Sequence, residues 1–314
     1  MTAKIAWGLA LLTFGTLAAG GAGAADSDTR TQGAGSVVFL SHDSEGFTTR
    51  RLALEYLPVF KNGDSLAGVR YSANHYEQNG WSRSGQQISA VARSVDPATA
   101  NGWQIDAGLA RQGGHDQLSL DGSYHIALAE RRSVEVFINR DWIETRNALD
   151  DGIDFTFAGV ALEQGVGPHV TLVGTAAYQD FSDGNHRNHG RLKLVYQPWL
   201  DLGLTLQARY RMYTSGTSDL PGAYFNPDRY SEAMLAVGWR QRVQGWLASA
   251  TAGLGQQRVA DAPHTSTRLL EVGLQSPPSG NQSVRVRAGV NRSASFGGPD
   301  YSYRYAQAEW IVRF

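Results

Sequence analysis

The stretch YSYRYAQAEWIVRF, residues 301–314, decides how the rest of the chain is read. Ala306, Ala308, Trp310, Val312 and Phe314 fall on one face, and Gln307, Glu309, Ile311 and Arg313 fall on the other. A period of two is that of a β-strand. In a soluble sheet the face with Trp310, Val312 and Phe314 would turn onto a core, whereas in a membrane barrel it would turn to lipid. Two observations separate these readings: whether other strands repeat the pattern at membrane-crossing length, and whether an export signal is present.

The pattern repeats. Leu202, Leu204, Leu206, Ala208, Tyr210 and Met212 alternate with Asp201, Gly203, Thr205, Gln207, Arg209, Arg211 and Tyr213, and Val284, Val286, Ala288 and Val290 alternate with Arg285, Arg287, Gly289 and Asn291. Leu192, Leu194 and Tyr196 alternate with Arg191, Lys193 and Val195. Carried along residues 36–314, the reading yields about 16 strands (14 as the alternative count) near the ten-residue length of a tilted membrane strand. Two of them are expected over 189–197 and 200–213. No amphipathic helix is expected in this region. Short turn-rich connections such as Lys61 to Asp64 and Ala129 to Arg131 are expected to alternate with longer ones such as Thr145 to Asp151 and Thr214 to Asp228, the asymmetry between inner turns and outer loops. Trp81, Trp142, Trp199, Trp239, Trp246 and Trp310 lie near strand ends, as interfacial girdles require. The fold expected is therefore all-β: a transmembrane, antiparallel, up-and-down β-barrel. Its mean hydropathy of -0.32 is compatible, because only alternate residues face lipid.

The other end of the chain agrees. Residues 1–24 carry Lys4, an apolar run from Ile5 to Leu17 and the small residues Ala22-Gly23-Ala24, the order of a secretory signal peptide. Residues 25–35 read as a short periplasmic lead-in and 36–314 as the barrel, placed in the outer membrane of a Gram-negative bacterium after cleavage. The chain has no cysteine, which excludes disulfides and thiolate metal sites. Its 28 basic and 29 acidic residues give no case for nucleic acid. Lys4, Lys61 and Lys193 are the only lysines, so the cations are almost all arginine, whose planar fork suits carboxylate, phosphate and hydroxyl partners.

Arginine on a mid-membrane lipid face costs about 2–4 kcal/mol, so the charged rows are expected to point inward. They place Arg191, Lys193, Gln207, Arg209, Arg211, Tyr213, Arg240, Glu271, Arg285, Arg287 and Glu309 along an interior path. Either these side chains pair to solvate the lumen, or they line a route for hydrophilic solute, and both can hold. Stacking faces are expected at Tyr210, Tyr213, Tyr224 and Phe225. No catalytic set competes: the histidines are scattered, His186 and His189 sit three apart in what reads as a polar loop, and no G-x-S-x-G is present. No cofactor is expected.

Two stretches carry a resemblance. FSDGNHR (181–187), with Asp183, Gly184, Asn185 and Arg187, and YFNPDRY (224–230), with Tyr224, Phe225, Asn226, Pro227 and Tyr230, are similar to paired outer-loop motifs in the C-terminal barrels of bacterial exopolysaccharide exporters. These are the outer-membrane subunits for poly-N-acetylglucosamine and cellulose secretion, together with related stand-alone barrels. The resemblance covers roughly the second half of the chain. It implies a sixteen-strand conduit for a polysaccharide, with Trp310, Val312 and Phe314 as the terminal signal for the barrel-assembly machinery. Those exporters carry a long helical-repeat scaffold before the barrel, which the short lead-in cannot hold, so a separate periplasmic scaffold protein is the expected partner besides outer-membrane lipid. Polysaccharide export is the leading expectation. A general porin or small-solute channel is the alternative, and a lipid-modifying outer-membrane enzyme the third.

Overall fold

The computed structural model describes residues 31–217, 222–277, 281–294 and 301–314; the signal-peptide reading of residues 1–24 lies outside them. Sixteen strands follow one another: β1 Gly33–Asp43, β2 Thr48–Asn62, β3 Ser65–Gln78, β4 Trp81–Val95, β5 Gly102–Gln112, β6 His115–Ala129, β7 Arg132–Trp142 and β8 Asp154–Val166, then β9 Val170–Phe181, β10 His186–Tyr196, β11 Leu204–Ser215, β12 Arg229–Val243, β13 Trp246–Val259, β14 Thr265–Gln275, β15 Gln282–Arg292 and β16 Ser302–Arg313. Each pairs antiparallel with its sequence neighbours, and β1 pairs with β16, so the sheet closes on itself. Closure sets Ser36 opposite Trp310 and Leu40 opposite Ala306. It is completed below the strands, where the Gln32 amide donates to the Phe314 carbonyl at 3.1 Å and the Phe314 amide to the Gln32 carbonyl at 2.9 Å. No edge is left to aggregate.

Alternation puts the apolar rows outside. Leu235, Leu254 and Leu109 are 72%, 68% and 65% exposed on the outer wall, a density of bare leucine that only hydrocarbon covers. Trp103, Trp199, Trp246 and Trp310 are exposed at the end where the chain terminates, forming a girdle there. Trp81 and Trp142 break the expectation: Trp142 is buried and Trp81 packs beside it, both turned into the opposite mouth.

The structure corrects several sequence expectations. A helix exists, α1 Arg146–Asp151, in the connection between β7 and β8. Thr145 caps it by accepting from the Ala148 amide, and Gly152 ends it in a left-handed conformation (φ 67°). At six residues it is too short for periodicity to reveal. Residues Leu200–Leu202 form a single 3-10 turn, so β11 begins at Leu204. β10 begins at His186, ahead of the expected 189, and β1 begins at Gly33 inside the expected lead-in. Finally, loop length does not alternate strictly, since the inner connection of residues 197–203 is longer than the outer one of residues 182–185. The first three outer connections are tight, and two are two-residue turns, Asn79-Gly80 (φ 47° and 79°) and Gly113-Gly114 (φ 56° and 91°). Positive φ at both positions gives a turn whose twist matches its strands, which is why glycine and asparagine stand there.

Candidate functional site

The interior begins with the rows named from sequence. Arg191, Lys193, Gln207, Arg209, Arg211, Tyr213, Arg240, Glu271, Arg285, Arg287 and Glu309 all lie on inward positions of β10, β11, β12, β14, β15 and β16. On β10 and β11 the register sets Lys193 opposite Arg209 and Arg191 opposite Arg211. Like charges facing each other across a ladder repel, so this wall presents a cationic strip. Arg209 spends its guanidinium on Gln207 (Nε to Oε1 2.9 Å), and Arg211 donates to Glu232 (Nε to Oε2 2.8 Å) and to the Tyr230 hydroxyl (3.1 Å). Elsewhere on the inner wall several charges are paired. Arg285 pairs with Glu309 at 3.6 Å, Tyr305 donates to Glu271 at 2.9 Å, and Arg70 is held between Glu55 and Asp106.

The interior is not polar throughout. Phe137, Phe155, Phe157 and Phe181 form an apolar cluster on the inner wall of β7 to β9, and Leu57, Phe60, Val91 and Ile311 form another near the terminal end. Local alternation cannot reveal this, since a strand apolar on either face has the same period.

The two motifs meet. Asn185 Nδ2 donates to the Tyr224 hydroxyl (3.0 Å) and to Asn226 Oδ1 (2.8 Å), while the Tyr224 hydroxyl donates to Asp183 Oδ2 (2.8 Å). Burial, with the Asp183 carboxylate beside it, raises the Tyr224 pKa above that of a free phenol and keeps the hydroxyl a donor. Tyr224 stacks on Phe181 at 4.8 Å, with 13° between the rings. Arg187 is the keystone. It is 2% exposed, its guanidinium lies 4.9, 5.0 and 5.4 Å from the rings of Phe181, Tyr213 and Tyr224, and it donates to Ser215 Oγ (3.2 Å), the Phe225 carbonyl and Asn226 Oδ1 (3.2 Å). Among the described residues it has no carboxylate in ion-pair range; aromatic faces and carbonyl oxygens stabilise the charge.

This clasp corrects the sequence reading of the motif residues. Arg187 and Tyr230 belong to strand ends, not loops, and both point inward and are buried. Asp183, Gly184, Asn185, Phe225, Asn226 and Pro227 do lie in connections. Tyr213 and Tyr224 are buried at 9% and 2%, and Tyr210 stands on the outer wall, so none of the three offers a ring face to a solute in the lumen. His186 and His189 are both in β10 on opposite faces: His186 stacks on Tyr178 outside, and His189 bonds to Gln179 inside. They share no site, and no metal-holding cluster occurs among the described residues.

The clasp also anchors a bridge across the outer mouth. Thr145 Oγ1 donates to the Ala223 carbonyl (2.6 Å) and Asn147 Nδ2 to the Gly222 carbonyl (3.3 Å), tying the α1 connection to the β11–β12 connection. On its far side Glu144, buried, accepts from Arg51 (2.8 Å), and Asp150 accepts from Arg83 Nε (2.8 Å) and Trp81 Nε1 (3.0 Å). Leu149 is buried against Phe47, Tyr76 and Trp142. The bridge thus runs from β2–β4 over to β10–β12. Its residues were missed from sequence, where only the Thr145 cap and Gly152 mark it.

By sequence the chain matches no family model and no curated protein. By structure it is similar to a solved chain described as a bacterial polysaccharide outer membrane secretin, with TM-score 0.65 and 14% identity over 91% of this chain and 100% of that one. The fold is that of an outer-membrane β-barrel. More distant likenesses include CdiB from Acinetobacter baumannii (TM-score 0.48, 12% identity, 91% of this chain and 60% of that one) and Pseudomonas aeruginosa OpdQ (0.45, 10%, 92% and 100%).

Proposed function

We propose that this outer-membrane barrel is a channel that passes a carbohydrate polymer, with the β10–β11 strip as its hydrogen-bonding track. The observation that carries this reading is the register pair Lys193–Arg209, an ammonium and a guanidinium held opposite each other on the inner wall. Lys193 has no ion pair among the described residues, so its donors are available to passing hydroxyl or carboxylate groups. Weak, repeated hydrogen bonds hold a polymer in register without trapping it. Support also comes from the likeness of fold to a polysaccharide secretin barrel and from the resemblance of residues 181–187 and 224–230 to motifs of exopolysaccharide exporters. In this role the barrel is no enzyme and takes its polymer from a separate periplasmic scaffold protein.

A second reading, a small-solute channel, is favoured by the bridge, which ties the β2–β4 side of the outer mouth to the β10–β12 side. Planar-bilayer recording separates the two. Under the polymer reading, added oligosaccharide blocks the current from the periplasmic side and Lys193→Glu with Arg209→Glu abolishes the block. Steady conductance indifferent to oligosaccharide overturns it in favour of the small-solute reading.

A further inference from the structure

On the outer wall, strand register assembles cations that sequence order keeps apart. Arg268 of β14 faces Arg292 of β15 directly, and Arg304 of β16 sits diagonally from Arg292, opposite Val290. Arg304 in turn faces His42 of β1. Arg50 of β2, opposite Leu40, is diagonal to His42 and faces His75 of β3. All stand on outward positions of the half of the barrel away from Phe314, immediately above the apolar row of Leu270, Val290, Ala306, Leu40 and Leu52. Among the described residues the acid beside this row is Glu77, which accepts from Arg50 (3.1 Å) and contacts His75 (3.0 Å). Among the described residues neither Arg268 nor Arg304 has an ion pair. Arg268 and Arg304, which flank Arg292 in this row, are the cations open to an anion from outside.

Directly below the row lies an open groove of about 840 Å³ on the lipid-facing wall, lined by Val38, Leu40, Leu52, Tyr71 and Ala73, with Arg50 and His75 at its upper rim. Its floor includes Ala73, a short side chain between Tyr71 and His75 on the same face of β3. It stays uncovered because the connections above it, at residues 44–47 and at Asn79-Gly80, are tight turns. A cationic rim over an apolar trough at the level of one leaflet is complementary to an anionic headgroup over acyl chains.

We propose that this face binds a phosphorylated lipid of the outer leaflet, its phosphates seated on Arg268, Arg304 and Arg50 and an acyl chain lying in the groove. The site is on the outside of the wall and does not depend on what passes through the lumen. Guanidinium forks pair with phosphate bidentately, which makes arginine, not lysine, the residue for this row.

The test uses the full barrel purified in detergent, with native mass spectrometry counting retained lipid. The probes are a bis-phosphorylated, multiply acylated glucosamine lipid, the same lipid after dephosphorylation, and inorganic phosphate alone. The double variant Arg268→Gln, Arg304→Gln is compared with the wild type. The fold is checked by the resistance of the folded band to sodium dodecyl sulfate before heating, and Arg50→Gln provides a second variant should the first not fold. The wild type is expected to retain the phosphorylated lipid, and the variants to bind it on the order of tenfold more weakly with unchanged channel conductance. Equal retention by wild type and variants, or equal binding of the dephosphorylated lipid, overturns the proposal. So does stabilisation by inorganic phosphate matching that by the lipid, which makes the row a free-anion site.

Discussion

Arg187 shows how far a single side chain can be read in advance. Its place in FSDGNHR marks it as part of a motif, but a row of short polar residues reads as a turn, and nothing in it tells that the guanidinium enters a box of Phe181, Tyr213 and Tyr224. Phe181 ends β9, Tyr213 stands near the end of β11, and Tyr224 comes from a connection 37 residues on, the interval from Arg187 to Tyr224. Removing the side chain takes away cation–π contact on three faces and the bonds that Arg187 donates to Ser215, the Phe225 carbonyl and Asn226. Arg187→Ala is therefore expected to cost about 2–4 kcal/mol, read as a lower temperature for loss of the folded band and as faster proteolysis between residues 216 and 228. Arg187→Lys does not restore it, since an ammonium has no plane to stack. Tyr224→Phe is milder, about 1 kcal/mol, because the ring stays on Phe181 and only the bonds to Asp183 and Asn185 go.

At the scale of elements, the strands were legible and the bridge was not. Sixteen strands announce themselves because each repeats a two-residue period over more than ten residues with lipid on one side. The six-residue α1 has no such repeat. It holds its place through Glu144 on Arg51, Asp150 on Arg83 and Trp81, and Thr145 on the next connection. If the bridge narrows the outer mouth, loosening it opens the channel. Glu144→Ala leaves Arg51 without its buried carboxylate, expected to cost about 3 kcal/mol at that anchor, and is expected to raise single-channel conductance while strand content by circular dichroism stays constant. An unchanged conductance would mean that the bridge lies clear of the conducting path. The interior strip belongs to this scale too: Lys193→Glu with Arg209→Glu reverses the sign of the wall, and the cation-to-anion preference measured by reversal potential is expected to move toward cations.

For the whole molecule the decisive contact is β1 with β16, made by the two ends of the described chain. Because β1 is hydrogen-bonded on both sides, every amide in it has a partner in one neighbour or the other. Val38→Pro removes one such donor at the seam and is expected to abolish the heat-modifiable folded band, whereas a proline in an exposed turn would be tolerated. The amino-acid order by itself determined that this chain crosses a membrane as strands, that there are about 16 of them with 14 as the alternative, and that the charged rows face inward. These follow from local alternation under one physical constraint, that neither a charge nor an unpaired backbone group is tolerated against hydrocarbon. Tertiary structure alone decided which residues become neighbours: the clasp, the bridge and the outer arginine row. The clasp joins neighbouring strand ends to a connection, the bridge carries a helix over to β2 and β4, and the arginine row is set by strand register; alternation carries no information about what lies opposite.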